Sequence, residues 1–319
     1  DAAFTINTGD GEDQVILETG VGFTAPLADT EAPVANIIKG KTAIDTGDDD
    51  DNVSVSVNSG TSLTVNGAAS ILTGRGDDSV GLNHSESTVS FTAGLAIDTG
   101  ATAASSSGAD IVNLIGGKLN VTGALKIATG ALRDSVGVFD TLAVTGDVNI
   151  DTGSGNDGVV VILGAGLTTP VTGAVNTLGS LTILSGSGSD DVTVGNQEDA
   201  TAQINGIASI TTGTGLDFVE LFADATLTVV KDLKFDTGAG DDHLVVQAVL
   251  GSIRVNGSET VILGDDDDCF VQGTSTALDP FRHDDSSSFG IGNPDAAFQV
   301  DLAVSVAGGA GDDFIGFAG

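Results

Sequence analysis

Apolar residues return along this chain in short alternating runs, and the runs themselves recur. Leu119, Val121, Leu125 and Ile127 form one run around Gly123; Leu63, Val65, Ala69 and Ile71 repeat it around Gly67, and Leu142, Val144, Val148 and Ile150 around Gly146. A period of two is the mark of a strand with one buried face. The recurring glycine, also at Gly40, Gly179, Gly206 and Gly257, predicts a bend where a side chain would not fit. A second alternating stretch follows each run, as in Val15 with Leu17, Val80 with Leu82, Val159 with Val161 and Leu244 with Val246. Between the two stands a turn of the form T-G-x-G-D-D, seen at Thr73–Asp78 and Thr237–Asp242.

The turn occurs eleven times, at intervals of roughly 26 residues, and a fixed period of this size predicts a stacked solenoid. Each repeat reads as strand, glycine corner, strand, acidic turn, strand and variable loop. The expectation is an all-β parallel β-helix (β-solenoid), with about eleven coils of roughly 26 residues and three short strands each. No apolar period near 3.6 persists, so helices should be nearly absent. Residues 1–319 read as one solenoid, with protruding loop insertions at 20–34, 101–107 and 273–294.

Composition narrows the function. Ten Lys and Arg stand against 45 Asp and Glu, a net charge of −35, which excludes a reader of phosphate backbones. Such an excess normally signals disorder, but 40% of the residues are hydrophobic and strongly patterned, enough for a core. No apolar run approaches the ~18 residues of a spanning helix, so membrane insertion is not expected. Met is absent, so Asp1 is not a translation start; a removed leader or a segment of a longer chain explains it. The single Cys269 forms no internal disulfide, which fits a bacterial secreted protein.

The acidic turns are the candidate chemistry. With the Thr numbered zero, position +5 is Asp in every copy: Asp13, Asp51, Asp78, Asp110, Asp134, Asp157, Asp190, Asp217, Asp242, Asp268 and Asp313. Its parity matches the inward residue at +7, so it should fold into the turn and cap the amides of the glycine-rich loop. Position +4 points outward and varies, being acidic at Glu12, Asp50, Asp77, Asp241, Asp267 and Asp312. Parallel stacking sets equivalent carboxylates about 4.8 Å apart, where they repel by ~1 kcal/mol in water and ~3.5 kcal/mol at an effective dielectric of 20. Calcium is the natural counter-charge, accepting oxygens from carboxylates and turn carbonyls. The candidate ligands are Asp45 with Asp48, Asp49, Asp50 and Asp51 and with Asp77 and Asp78. A second set is Asp236 with Asp241, Asp242, Asp265, Asp266, Asp267 and Asp268, and a third is Asp312 with Asp313. A merely solvated acidic edge that deters aggregation accounts for the same pattern.

The turns Gly74–Asp78, Gly238–Asp242 and Gly309–Asp313 resemble the calcium-binding repeats of RTX-type secreted bacterial proteins. That family's nonapeptide, G-G-x-G-x-D-x-apolar-x, winds into a calcium-bound parallel β-roll. Here one acidic turn comes per ~26 residues rather than per nine. The chain therefore looks more like repetitive bacterial surface and matrix proteins that carry degenerate versions of such turns. The resemblance implies calcium and an extracellular or cell-surface location.

An enzyme must be weighed, because many parallel β-helices cleave polysaccharides. There is no Tyr or Trp to stack on sugars, and His84, His243 and His283 are scattered in the sequence. His243 falls on an outward slot. Arg282, His283, Asp284 and Asp285 form the one catalytic-looking cluster, in the longest insertion. Cys269 follows an acidic run that should raise its pKa, the reverse of nucleophile activation. Phe4 at one end and Phe298, Phe314 and Phe317 at the other suggest apolar, unpaired edges without polar caps. Two explanations fit: head-to-tail self-association, or a piece of a longer solenoid. The expected function is a calcium-stabilised extracellular or surface scaffold assembling into fibres or matrix. The alternative is a polysaccharide-binding or polysaccharide-cleaving β-helix.

Overall fold

The computed structural model describes residues 3–19, 34–100, 108–164, 175–197, 200–274 and 297–318. Among the described residues every regular element is a strand, from Phe4–Asn7 to Phe314–Ala318, and there is no helix. Successive coils pair in parallel and in register, as the alternation predicted. The chain is a parallel β-solenoid.

Among the described residues one sheet holds eleven strands, one before each acidic turn, from Phe4–Asn7 through Leu125–Ala128 to Val304–Ala307. Two residues before each motif Thr, on its inner face, Ile44, Ile71, Ile97, Ile127, Ile150, Ile183 and Ile210 stack in register, each on its twin. All are buried. β-branched side chains suit this pleated, close-packed column. A slip of one residue would turn the entire column outward, so burial enforces the register.

After the turn, position +7 builds the facing column, in which Val53 pairs with Val80, Val80 with Val112 and Val112 with Val136. A third ladder closes the coil, through strands such as Thr61–Asn66 and Ser252–Val255. The expectation of eleven coils with three short strands each needs correction here. In three coils the second and third strands merge into single long ones, Ser79–Phe91, Ile111–Val121 and Ser135–Val144. A register shift between Gly116 and Lys118 carries the ladder round the corner without breaking it. Among the described residues the turn Gly309–Asp313 is followed by one strand, Phe314–Ala318, so complete three-strand turns number fewer than the motif copies.

The glycine corner is where the pattern placed it. The amide of Gly146 donates to the Gly123 carbonyl at 2.9 Å, and that of Gly179 to Gly146 at 2.9 Å. A Cβ built on Gly179 would stand 2.3 Å from the Gly146 oxygen. The expected insertions lie largely outside the described residues. At their edges, Val34 already opens the strand Val34–Lys39 and Gly273 closes Cys269–Gly273. Among the described residues no helix is long and apolar enough to cross a membrane.

Candidate functional site: the stacked acidic turns

The turns stack as closely as the strands. Gly186, at motif position +1, has φ +89°, and a Cβ there would lie 1.5 Å from the Gly153 carbonyl oxygen one coil away. Only glycine tolerates both the left-handed conformation and that approach. At position +3 glycine gives way to Asp49 (φ 87°), Leu132 (φ 80°) and Asp266 (φ 87°), all in left-handed backbone.

The inner aspartates form one continuous hydrogen-bonded row. The amide of Asp13 donates to Oδ1 of Asp51 at 2.8 Å, Asp51 to Asp78 at 2.9 Å and Asp78 to Asp110 at 2.9 Å. Asp110 donates to Asp134, Asp134 to Asp157, Asp157 to Asp190 and Asp190 to Asp217, each at 2.8 Å. Asp217 donates to Asp242 and Asp242 to Asp268 at 2.9 Å, and Asp268 to Asp313 at 3.3 Å. The expected amide capping is present, with one correction: the capped N–H belongs to the neighbouring coil, not to the same loop. Each side chain is therefore a bolt between coils.

The outer row caps in the opposite direction. The amide of Asp77 donates to Oδ1 of Asp50 at 2.9 Å, Ala109 to Asp77 at 2.9 Å and Ser189 to Oδ1 of Asn156 at 3.0 Å. Asp267 donates to Asp241 at 3.1 Å and Asp312 to Asp267 at 2.8 Å. Asn156 and the Ser189 hydroxyl, which accepts from the Leu216 amide at 3.2 Å, serve the same purpose without charge. At Asn156 and Ser189 the variation at +4 thus keeps an acceptor without the charge, whereas Ala109, Arg133 and Leu216 supply none.

Position zero completes the inner environment. The hydroxyls of Thr73, Thr99 and Thr129 donate to Oδ2 of Asp78, Asp110 and Asp134 at 2.7, 2.8 and 2.6 Å. Thr212 and Thr237 instead donate to the carbonyls of Thr237 and Leu263, at 3.0 and 2.7 Å. Burial raises the inner carboxyls well above the usual range: Asp110 to about 8, Asp157 and Asp242 to about 7, and Asp134 and Asp268 to about 6. Burial pushes Asp51, Asp78, Asp190 and Asp217 the same way.

The candidate calcium ligands divide along this inner–outer line. Asp51, Asp78, Asp242 and Asp268 are buried with Oδ1 held by an amide, and Asp313 is half-buried at the end of the row. These residues do not suit a hydrated cation. Asp49, Asp50, Asp77, Asp241, Asp265, Asp266, Asp267 and Asp312 are exposed. Asp48 is half-exposed, with Oδ2 3.4 Å from Arg75 Nη1. Asp45 and Asp236 lie on the outer face of the first sheet, where their ladder partners are Leu72 and Ile262. Among the described residues no three His, Cys, Asp or Glu side chains converge so as to hold a metal ion.

A different polar pair escaped the sequence reading. His84 Nε2 stands 2.8 Å from Asp140 Oδ2, and both side chains are fully buried. They belong to coils on either side of Ile111–Val121, whose Gly116 leaves the room: a Cβ there would lie 2.5 Å from the imidazole. Glycine between two polar residues that are distant in sequence was the available signal. Glu259 is likewise buried in the core and accepts both Nε2 contacts of Gln272, at 2.9 and 2.8 Å. His243 is half-exposed on its outward slot, beside a groove lined by Asp191, Leu216, Phe218, Asp241 and Asp267. Cys269 is buried, and burial first, then Asp268, raises its thiol pKa. Arg282, His283, Asp284 and Asp285 lie outside the described residues.

No protein family, characterised protein or solved structure matches this chain.

Proposed function

We propose that this chain is a structural rod: a calcium-stabilised scaffold, secreted or held at the cell surface, that associates head to tail. The observation that supports it best is the unbroken inner aspartate row, in which every coil both caps its neighbour and is capped by the next. A contact repeated with one polarity has no internal stopping point, and heterologous contacts of that kind build filaments. Strands along this ladder, such as Gln14–Glu18 and Phe314–Ala318, all pair in parallel with one register, and a ladder of that kind can accept a further parallel strand from a second copy.

Calcium enters at the outer row alone. Each of Asp50, Asp77, Asp241 and Asp267 uses one oxygen on a neighbouring amide and keeps the other for solvent. The resemblance to RTX-type turns and the net charge of −35 favour a divalent counter-ion there. Sedimentation velocity across a concentration series, with calcium and with chelator, tests the reading. The expectation is assembly that grows with concentration and calcium; a monomer under every condition sinks the association.

A further inference from the structure

The inner row leaves one oxygen of each carboxyl unused by the coil-to-coil bonds, and at several positions, Asp157 and Asp190 among them, that oxygen lacks a donor. Oδ2 of Asp157 and of Asp190 is buried without a well-formed hydrogen bond, and so is the Ser185 hydroxyl. Ser185 and Asp190 occupy positions zero and +5 of one turn and lie within reach of each other. A single proton on Asp190 Oδ2 gives both atoms a partner, the acid donating and the hydroxyl oxygen accepting. One coil earlier, the Thr152 hydroxyl hydrogen points to the Ser185 carbonyl, 3.5 Å away, leaving its lone pairs for Asp157. At Asp134 the Thr129 hydroxyl donates to Oδ2 at 2.6 Å when that oxygen is bare; with a proton on Oδ2 the hydroxyl accepts instead and its hydrogen has the Thr152 carbonyl, 3.5 Å away, as the alternative acceptor.

Among the described residues, no basic side chain forms a salt bridge with these three carboxyls. Along the row they face Asp110, Asp217 and one another. On their own turns the +4 neighbours are Arg133, Asn156 and Ser189, of which Arg133 is exposed, and Asp191 follows Asp190. Arg75 and Arg254 pair with other carboxylates, Asp48 and Asp301.

We propose that Asp134, Asp157 and Asp190 are carried as neutral carboxylic acids, a proton-loaded spine whose ionisation loosens the stack. The device makes the solenoid firm in mild acid and lets it soften as the pH rises. Burial raises all three, Asp134 to about 6 and Asp157 to about 7, in line with the geometry. With folded values above the unfolded ~3.9, the stabilisation is complete below about pH 4 and lost as pH climbs through the folded values.

The test is the variant Asp134→Asn/Asp157→Asn/Asp190→Asn. Asparagine keeps the Oδ1 acceptor, and its amide hydrogen replaces the acid proton. Thermal unfolding between about pH 4 and 9 is recorded in chelator, alongside the infrared carboxylic-acid carbonyl band of the folded proteins near pH 5.5. The parent should melt progressively lower as pH rises, and its acid band should weaken in the variant. The variant should show a shallower slope and, near pH 9, a midpoint above the parent's. A parent whose midpoint rises from pH 5 to 8, or which lacks the acid band, overturns the proposal. A folded variant less stable than the parent near pH 9 overturns it as well. Should the variant fail to fold, the parent's band and pH profile decide alone.

Discussion

The amide of Asp157 donates to Oδ1 of Asp190, 2.8 Å away on the next coil. Both side chains are buried, so neither group has water as a substitute. Asp190→Ala would strand the Asp157 amide, and an unmet buried donor costs about 1–3 kcal/mol. Asp190→Asn retains the acceptor and should cost less than half of that near pH 5. Chemical denaturation of both variants at that pH measures the difference; equal losses would show that the acceptor oxygen is not what binds the coils.

Asp110 sets a second pH expectation. Burial raises its carboxyl to about 8, so the acid form is the one the folded chain favours. Its contribution is intact below about pH 4 and disappears as pH rises through about 8. Asp110→Asn should therefore raise the melting midpoint at pH 9 and change it little at pH 4, as followed by circular dichroism.

The turn glycines should differ sharply by position. Gly186 and Gly9 share nearly the same φ, +89° and +88°, but a Cβ on Gly186 meets a carbonyl oxygen at 1.5 Å and one on Gly9 meets nothing within 4 Å. Gly9→Ala isolates the conformational penalty of about 1–2 kcal/mol. Gly186→Ala adds a backbone clash that only separation of the coils relieves, and should prevent cooperative folding. Comparing the two unfolding curves separates strain from stacking.

Leu132 invites the opposite change. It is exposed and sits at φ 80°, where most coils have glycine. Leu132→Gly removes left-handed strain and sacrifices little buried surface, so a gain of up to about 1 kcal/mol in unfolding free energy is expected. A loss would mean that Leu132 makes contacts worth more than its strain.

The His84–Asp140 pair is best tested as a cycle. Removing either partner alone, as His84→Leu or Asp140→Leu, leaves a buried polar group unmatched and should cost about 3–5 kcal/mol. The double variant should lose less than the sum of the two. Additive losses would show that the residues act independently despite their 2.8 Å separation.

What the linear chain determined by itself is the coil. A period of two around Gly123, Gly146 and Gly179, repeated with the acidic turn, admits a single economical way to bury Ile127, Ile150 and Ile183, and those residues stack as expected. The inwardness of the +5 aspartates was legible too, because parity along a strand is local. Their partners were not. A donor in one coil and an acceptor in the next are separated by 23 to 33 residues along the central row, and only stacking decides which amide each carboxyl meets. The same limit hid His84 and Asp140, which become neighbours because Gly116 in the strand between them has no side chain. Charge reasoned along the chain called for a counter-ion at every turn, whereas burial separated an inner row whose carboxyls it pushes toward the protonated form from an outer row exposed to solvent. Local pattern sets which face a residue takes; solvent exposure, a property of the whole stack, sets its protonation and its partners.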